Sequence, residues 1–534
     1  MVGKIERREV ICQKYCSYYK SQKDEAEKCL ACELLSAWSD WAPNMAKALA
    51  SAPGTTGSMA ADADSLPTEP RCDDDTWPAG NRDNAWDREI AHKVTGIICS
   101  HCAFRSHGCD FAVAVPGAQP CGGVRVLESC LRAGKVSGQD LTEAWERFLD
   151  SAYLRLAEHV SVRYLETPHL YDRQADELYE INEEGLAWLV RCDGTSPGLA
   201  GQADREFLEV LLTESLMAGA ASPVPRKLSW RRSPVPSLRY LELLLTEKCN
   251  LRCRHCYLEK AGERELPLEA VLQTLEEFQN MQGLRVLLSG GEPLLYSRWQ
   301  DLNERLPEFE LRLVLLSNGL LLTDKVIHQL NVNEVQLSLD GMEAGHELIR
   351  GKGTWKKTVG RLEALQAAGL EVSIATMIHR GNLGELENMQ NWLQKLRIRE
   401  WNLDIPCISG RFSQNQDLWV DHEEGAPYLD FGFGGSDHGG TGDFACGRHL
   451  AAVLADGRVA KCGLFGDKPL GDLEEGLENC WLRLQHCRLS DLECAACGHL
   501  ADCRGGCRFR AGCGLGPDPI MCARYGIDPN IFRR

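Results

Sequence analysis

Cys249, Cys253 and Cys256 stand in a C-x3-C-x2-C spacing inside Thr-Glu-Lys-Cys-Asn-Leu-Arg-Cys-Arg-His-Cys-Tyr, at the end of an apolar, strand-like run. Three thiolates spaced this way can hold three corners of a cubic iron–sulfur cluster and leave one iron open to a small-molecule ligand. The competing reading packs them as small apolar residues or gives them to zinc, but a closed zinc site wants a fourth protein ligand. Ser289-Gly290-Gly291-Glu292-Pro293 follows the next strand-like run. Its glycines allow a close backbone approach, and its carboxylate can accept from an ammonium group. Ser317-Asn318-Gly319, Ser338 with Asp340, and Arg350 in Ile-Arg-Gly-Lys-Gly end later units. Turn and capping chemistry is the alternative for each.

More cysteines fall into spaced groups. Cys446 is followed by ten residues, Gly457, four residues and Cys462; Cys494, Cys497, Cys503 and Cys507 then form C-x2-C-x5-C-x3-C, and Cys522 follows. Near the start stand Cys12, Cys16, Cys29 and Cys32, then Cys99, Cys102, Cys109 and Cys121. Either early group could close a four-thiolate iron–sulfur or zinc site. His101 and His107 read as surface residues. Cys72, Cys130, Cys192, Cys480, Cys487 and Cys513 fit no spacing and read as structural cysteines.

Together these motifs resemble the radical S-adenosylmethionine (SAM) superfamily carrying the C-terminal SPASM extension. The resemblance implies that Cys249, Cys253 and Cys256 hold a [4Fe-4S] cluster whose open iron binds SAM. Gly290, Gly291, Glu292 and Pro293 would bind the amino group of its methionine moiety. Ser317, where the family more often has Thr, and Asn318 would contact SAM, Ser338 and Asp340 its ribose, and Arg350 its carboxylate. The extension implies two auxiliary [4Fe-4S] clusters, one on Cys446, Cys462 and Cys507, the other on Cys494, Cys497, Cys503 and Cys522. The first lacks a fourth ligand within the seven-cysteine core; Cys407 could supply it, but an open or water-bound iron ranks above it. The family's chemistry is reductive cleavage of SAM to a 5′-deoxyadenosyl radical, and the auxiliary clusters are expected to take the electron left on substrate, so the net reaction is an oxidation.

The elements that must position these residues are six strand-like runs alternating with amphipathic helices: 241–245, 285–288, 311–316, 334–339, 372–377 and 400–403. This alternation argues for a parallel α/β barrel with functional residues at the strands' C-terminal ends. The family fold, a partial (β/α)6 barrel, fits. Residues 160–222 read as a strand, a hairpin and helices with an Asp193-Gly194-Thr195 turn. That unit is similar to the small winged-helix-like peptide chaperone of pyrroloquinoline-quinone pathways, with an ordinary linker domain as the alternative. The likeness implies that an exposed strand edge near Val160 to Leu165 pairs with a leader peptide by strand addition. The expected organisation is a cysteine-rich metal-binding segment (1–47), a linker (48–88), a second cysteine-rich segment (89–150), the recognition element (151–222), a Pro-rich linker (223–237), the barrel (238–405) and the auxiliary-cluster domain (406–534).

A chain of 534 residues can bury several cores. A net charge of −18 argues against a nucleic-acid binder, whose footprint is a basic face. No apolar run is long enough to span a membrane and the start lacks the apolar core of a signal peptide, so a cytoplasmic protein without a membrane partner is expected. Twenty-five cysteines in such a chain are better read as metal ligands than as disulfides. The expected function is an oxidative peptide maturase that closes a thioether, C–C or C–O bond in a precursor peptide held by its leader. A flavodoxin- or ferredoxin-type donor would supply low-potential electrons. The alternatives are maturation of a folded protein or small cofactor, as in sulfatase, haem or quinone pathways, and a metal-binding scaffold without turnover. No side-chain acid or base is assignable from sequence.

Overall fold

The computed structural model describes residues 146–534, apart from 221, 259, 260, 436, 437, 439–442, 447, 448, 513, 533 and 534. The early cysteine groups, the linker 48–88, His101, His107, Cys72, Cys130 and Cys513 lie outside the described residues. In chain order the first elements are β1 (Tyr153–Leu156), β2 (Val160–Tyr164), β3 (Pro168–Asp172), β4 (Glu177–Glu180), α1 (Glu183–Arg191), β5 (Asp193–Pro197), α2 (Arg205–Thr213) and β6 (Met217–Ala220). The described residues divide into two compact units, one of 146–160 and 182–228, the other of 161–181 and 229 onward.

In the first unit β1 pairs antiparallel with both β5 and β6. Asn182 caps α1 by accepting from the Gly185 N–H, and Asp204 caps α2 by accepting from Phe207. Apolar residues at helical spacing, Leu186 and Leu189 on α1 and Leu208, Leu211 and Leu212 on α2, are buried. Asp193-Gly194-Thr195, expected as a turn, instead opens β5 at an irregularity in its pairing with β1: the Asp193 carboxylate accepts from the Thr195 N–H and hydroxyl, and Gly194 takes φ +75°.

The second unit holds a nine-stranded sheet. Its barrel part runs β7 (Tyr240–Leu244), α3 (Leu268–Asn280), β8 (Arg285–Ser289), α4 (Trp299–Arg305), β9 (Arg312–Ser317), α5 (Asp324–Ile327), β10 (Glu334–Ser338), α6 (Glu343–Arg350), α7 (Thr354–Ala367), β11 (Glu371–Met377), α8 (Leu386–Lys395) and β12 (Glu400–Asp404). All neighbours from β7 to β12 are parallel, and each strand starts and ends within a residue or so of its expected run. Beyond β7 the sheet continues with β13 (Leu450–Val453), parallel to β7, then β14 (Arg458–Ala460) and β15 (Gly471–Asp472), both antiparallel. The short apolar run of β13 gave no strand signal of its own. Its pairing joins barrel and C-terminal extension in one sheet, so the expected boundary at 405/406 separates no compact units.

The second departure concerns residues 151–222, expected as one domain. The sheet β2-β3-β4 belongs with the barrel unit, and electrostatics at the strands' N-terminal ends explains why. Arg285 and Arg312 lie opposite each other in register, as do Glu334 and Glu371, and like charges so placed repel. The β3–β4 turn inserts Asp176, fully buried, which pairs with Arg285 and lies 3.7 Å from Arg312 Nε. Arg312, itself 0% exposed, bonds Glu334 at 2.7 Å, bonds Glu371, and donates to the carbonyls of Arg173 and Gln174. The hairpin thus neutralises the barrel's base.

The expected open edge at Val160 to Leu165 is corrected for a related reason. All six residues are buried, Tyr164 bridges to Arg232 in parallel, and the Ser233 N–H donates to the Tyr164 carbonyl at 2.8 Å. The Pro-rich connector covers that edge. The opposite edge of the sheet is β4, which pairs only with β3 among the described residues.

Candidate active site

The loop after β7 carries Cys249, Cys253 and Cys256, and the loop after β8 packs directly on it. Gly291 N–H donates to the Thr246 carbonyl and Glu292 N–H to the Lys248 carbonyl, both at 2.8 Å. A Cβ on Gly290 would lie 2.4 Å from the Thr246 oxygen, and one on Gly291 2.3 Å from the Lys248 oxygen. Glycine is required here by the cysteine loop itself, where the sequence reading had looked to a ligand.

Glu292 is 1% exposed. Its carboxylate accepts from the Ser317 hydroxyl at 2.9 Å and the Asn318 N–H at 3.0 Å, which ties the end of β8 to the end of β9. Burial pushes its pKa up to about 7, against the pull of these bonds. The Asn318 amide reaches Asn250 in the cysteine loop at 2.8 Å. Pro293 is buried at the start of the following turn.

Asp340, after β10, is the most committed acid in the site. One oxygen accepts from Arg350 Nε at 2.6 Å and the other from the Met377 N–H at 2.9 Å. Although burial alone would raise it, the Arg350 guanidinium beside it holds its carboxyl well below the usual carboxylate range. With both oxygens engaged, Ser338 is the free polar group at this strand end. Arg350, in the last turn of α6, also reaches 3.9 Å from the Cys253 sulfur. Burial pushes the Cys253 thiol up and that of Cys249 to about 11, so both are held neutral until a metal or cation compensates them.

These groups face one cavity of about 460 Å³. Its walls include Cys249, Cys253 and Cys256, then Gly290, Gly291, Glu292, Ser317, Asn318, Ser338, Asp340 and Arg350, and also Cys407 and Cys462. Every residue expected to contact SAM except Pro293 lines this space. Sequence reasoning missed Glu242, Tyr257, Gln336, Met377 and Asp404, which line it too. A charged residue at an inward position of the apolar run Tyr-Leu-Glu-Leu-Leu was the available signal for Glu242.

The later cysteines assemble in two places. The Cys407 and Cys446 thiols lie within hydrogen-bonding reach of the Cys507 sulfur, and Cys462 lies close enough for its charge to be felt there. As acceptor of both thiols, Cys507 is held low and its two partners high. Cys507 N–H donates to Asp518 at 2.7 Å, and Arg510 joins Asp518 to Asp404. Cys494, Cys497, Cys503 and Cys522 line a second, small cavity together with Asp518. Among the described residues no three His, Cys, Asp or Glu side chains close on a single metal ion. Cys407 and Cys462 line the first cavity and Cys494, Cys497, Cys503 and Cys522 the second, and thiols alone as donors suit iron–sulfur clusters. Cys192 and Cys480 are buried, and Cys487 packs, partly buried, against the cluster of Ala445, Leu492 and Cys494.

Residues 243–393 match the family model of the radical SAM superfamily. A mycofactocin maturase of Mycolicibacterium smegmatis is 29% identical over 360 residues, covering 58% of this chain and 88% of the relative. An AdoMet-dependent heme synthase of Oleidesulfovibrio alaskensis is 27% identical over 187 residues, 34% of this chain and 48% of that one. Among solved structures, Streptococcus suis SuiB bound to the precursor peptide SuiA aligns with a TM-score of 0.51 at 14% identity, over 66% of this chain and 95% of the other, a likeness of fold. Within residues 243–393, which match that family model, the three cysteines, the glycine loop and the strand-end polar residues meet in one cavity.

Proposed function

We propose that this chain oxidatively modifies a ribosomally made precursor peptide. The observation that carries this reading is the one cavity lined both by the cysteines of the radical SAM loop and by Cys407 and Cys462 of the auxiliary set. When bound, these groups supply a 5′-deoxyadenosyl radical from SAM at the first site and uptake of the substrate's electron at the second. The chain's own part is to aim and exclude. Gly290 and Gly291 fix the cysteine loop, Glu292 locks two strand ends, and Arg350 places a positive charge beside Cys253, where the SAM carboxylate would bind. Ser338 is the ribose-facing hydroxyl. Cys446, Cys462 and Cys507 would hold the first auxiliary cluster with Cys407 as fourth ligand, a role supported by its approach to Cys507. Cys494, Cys497, Cys503 and Cys522 would hold the second.

A peptide substrate is supported by the mycofactocin maturase relative. The bond formed would be a thioether, C–C or C–O link, with electrons from a flavodoxin- or ferredoxin-type donor. The heme synthase relative favours a second reading, a small-cofactor substrate. Mass spectrometry of the short peptides encoded beside this gene separates the two. Each peptide is co-expressed anaerobically with the wild type and with a Cys249/Cys253/Cys256→Ala variant. Loss of two hydrogens per event with the wild type alone supports the peptide reading, whereas unchanged masses with loaded clusters favour the small cofactor.

A further inference from the structure

A second cavity of about 360 Å³ lies beside the reaction cavity and shares walls with it at Glu247, Tyr257, Leu258, Ser409, Gly463 and Leu464. Its remaining walls divide evenly between apolar residues or glycine, Leu244, Leu454, Ala455, Gly466 and Phe509, and polar ones, Thr246, Arg264, Asp456, Arg458 and Asp467. Most of the charges pair with one another: Arg264 bonds Glu247 at 2.6 Å and Asp456 at 2.9 Å, and Arg458 bonds Asp456 at 2.8 Å. Such a cavity suits a neutral occupant that carries both apolar and polar groups. None of the residues expected to bind SAM lines it.

The partition between the two cavities is polar and unsatisfied. The Tyr257 hydroxyl is buried with no hydrogen-bond partner, a costly arrangement unless something else supplies one. Beside it, Glu242 points into the barrel from β7 and accepts only from the Ser289 hydroxyl at 3.3 Å and the Gly463 N–H; no cation faces it among the described residues. The site's other two buried acids are satisfied, Glu292 by Ser317 and Asn318, Asp340 by Arg350 and Met377. Gly463 keeps the niche open: a Cβ there would stand 3.2 Å from a Glu242 oxygen and 3.6 Å from the Tyr257 hydroxyl.

We propose that the second cavity is a substrate subsite that holds the neutral residues flanking the reacting one, and that Tyr257 and Glu242 bind the substrate's backbone amides where it crosses into the reaction cavity. The inference rests on the peptide reading above. Tyr257 offers a donor and an acceptor to an amide, and Glu242 accepts an N–H, so an extended backbone satisfies both at once.

The test uses the cluster-loaded full chain and, as probes, the short peptides encoded beside this gene. Three variants are compared after iron analysis has matched their cluster content to wild type. Tyr257→Phe and Glu242→Gln alter the partition; Leu454→Trp fills the subsite without touching a cysteine. Steady-state turnover read by mass spectrometry should show KM for the peptide raised about tenfold in Tyr257→Phe, with a smaller change in kcat, and a larger loss in Leu454→Trp. Glu242→Gln, which still accepts an N–H, should fall closer to wild type than Tyr257→Phe does. A peptide modified by all three variants with wild-type KM would overturn the subsite while leaving the peptide reading intact. A wild-type enzyme that modifies none of the peptides would overturn both.

Discussion

Two buried carboxyl groups in one cavity wall are driven in opposite directions, and each predicts a different pH response. Asp340 sits far below the usual carboxylate range because Arg350 neutralises it. Its stabilising contribution is therefore complete above about pH 4, the unfolded value, and is lost only as pH falls below that. Asp340→Asn leaves Arg350 buried without its counter-charge, and chemical denaturation should show a loss of about 3–5 kcal/mol at neutral pH together with a flattened acid limb. Glu292 behaves in the reverse sense. Raised to about 7, it binds its proton more tightly folded than unfolded, so stability falls as pH rises from about 4 towards 7. Glu292→Gln should flatten that decline in metal-free protein; an unchanged slope would show that another group titrates there.

At the scale of elements, the glycine loop after β8 and the hairpin under the barrel each make a separable prediction. Gly291→Ala forces a methyl group onto the Lys248 carbonyl, so the cysteine loop must shift. Iron and sulfide analysis with spectroscopy of the reduced clusters should find about four irons lost per chain, all from the radical SAM site. Loss from the auxiliary sites instead would contradict the assignment of that loop. Asp176 adopts a left-handed φ of +58°, which Asn tolerates, so Asp176→Asn removes the charge and keeps the turn. Stability should drop by about 3 kcal/mol as Arg285 loses its counter-ion, while Arg312 keeps Glu334 and Glu371. The motif loops were legible because their ligands are close in sequence and each ends a strand with a clear apolar pattern. The hairpin's docking was not: Asp176, Arg312, Glu334 and Glu371 each read as an ordinary surface charge, and only the folded register sets like charges face to face. Cys407 and Cys507 lie too far apart in sequence for spacing to pair them, and β13 is too short and too plainly apolar to declare itself.

For the whole molecule, the consequence of these contacts is a single sheet from β12 to β15 that carries the radical SAM loop, the reaction cavity and the start of the auxiliary region on one frame. That frame keeps the cysteine loop after β7 and the Cys407 and Cys462 thiols on the walls of one cavity. Cys407→Ala tests the auxiliary assignment directly: the auxiliary spectroscopic signal should change while the radical SAM signal with SAM bound stays as in wild type. The most direct measurement of the central claim is stoichiometric: the loaded enzyme, a low-potential reductant, SAM and a peptide encoded beside this gene, with 5′-deoxyadenosine and peptide mass followed together. One 5′-deoxyadenosine for each two hydrogens lost from the peptide is the predicted result. Steady 5′-deoxyadenosine release with every peptide mass unchanged would contradict it.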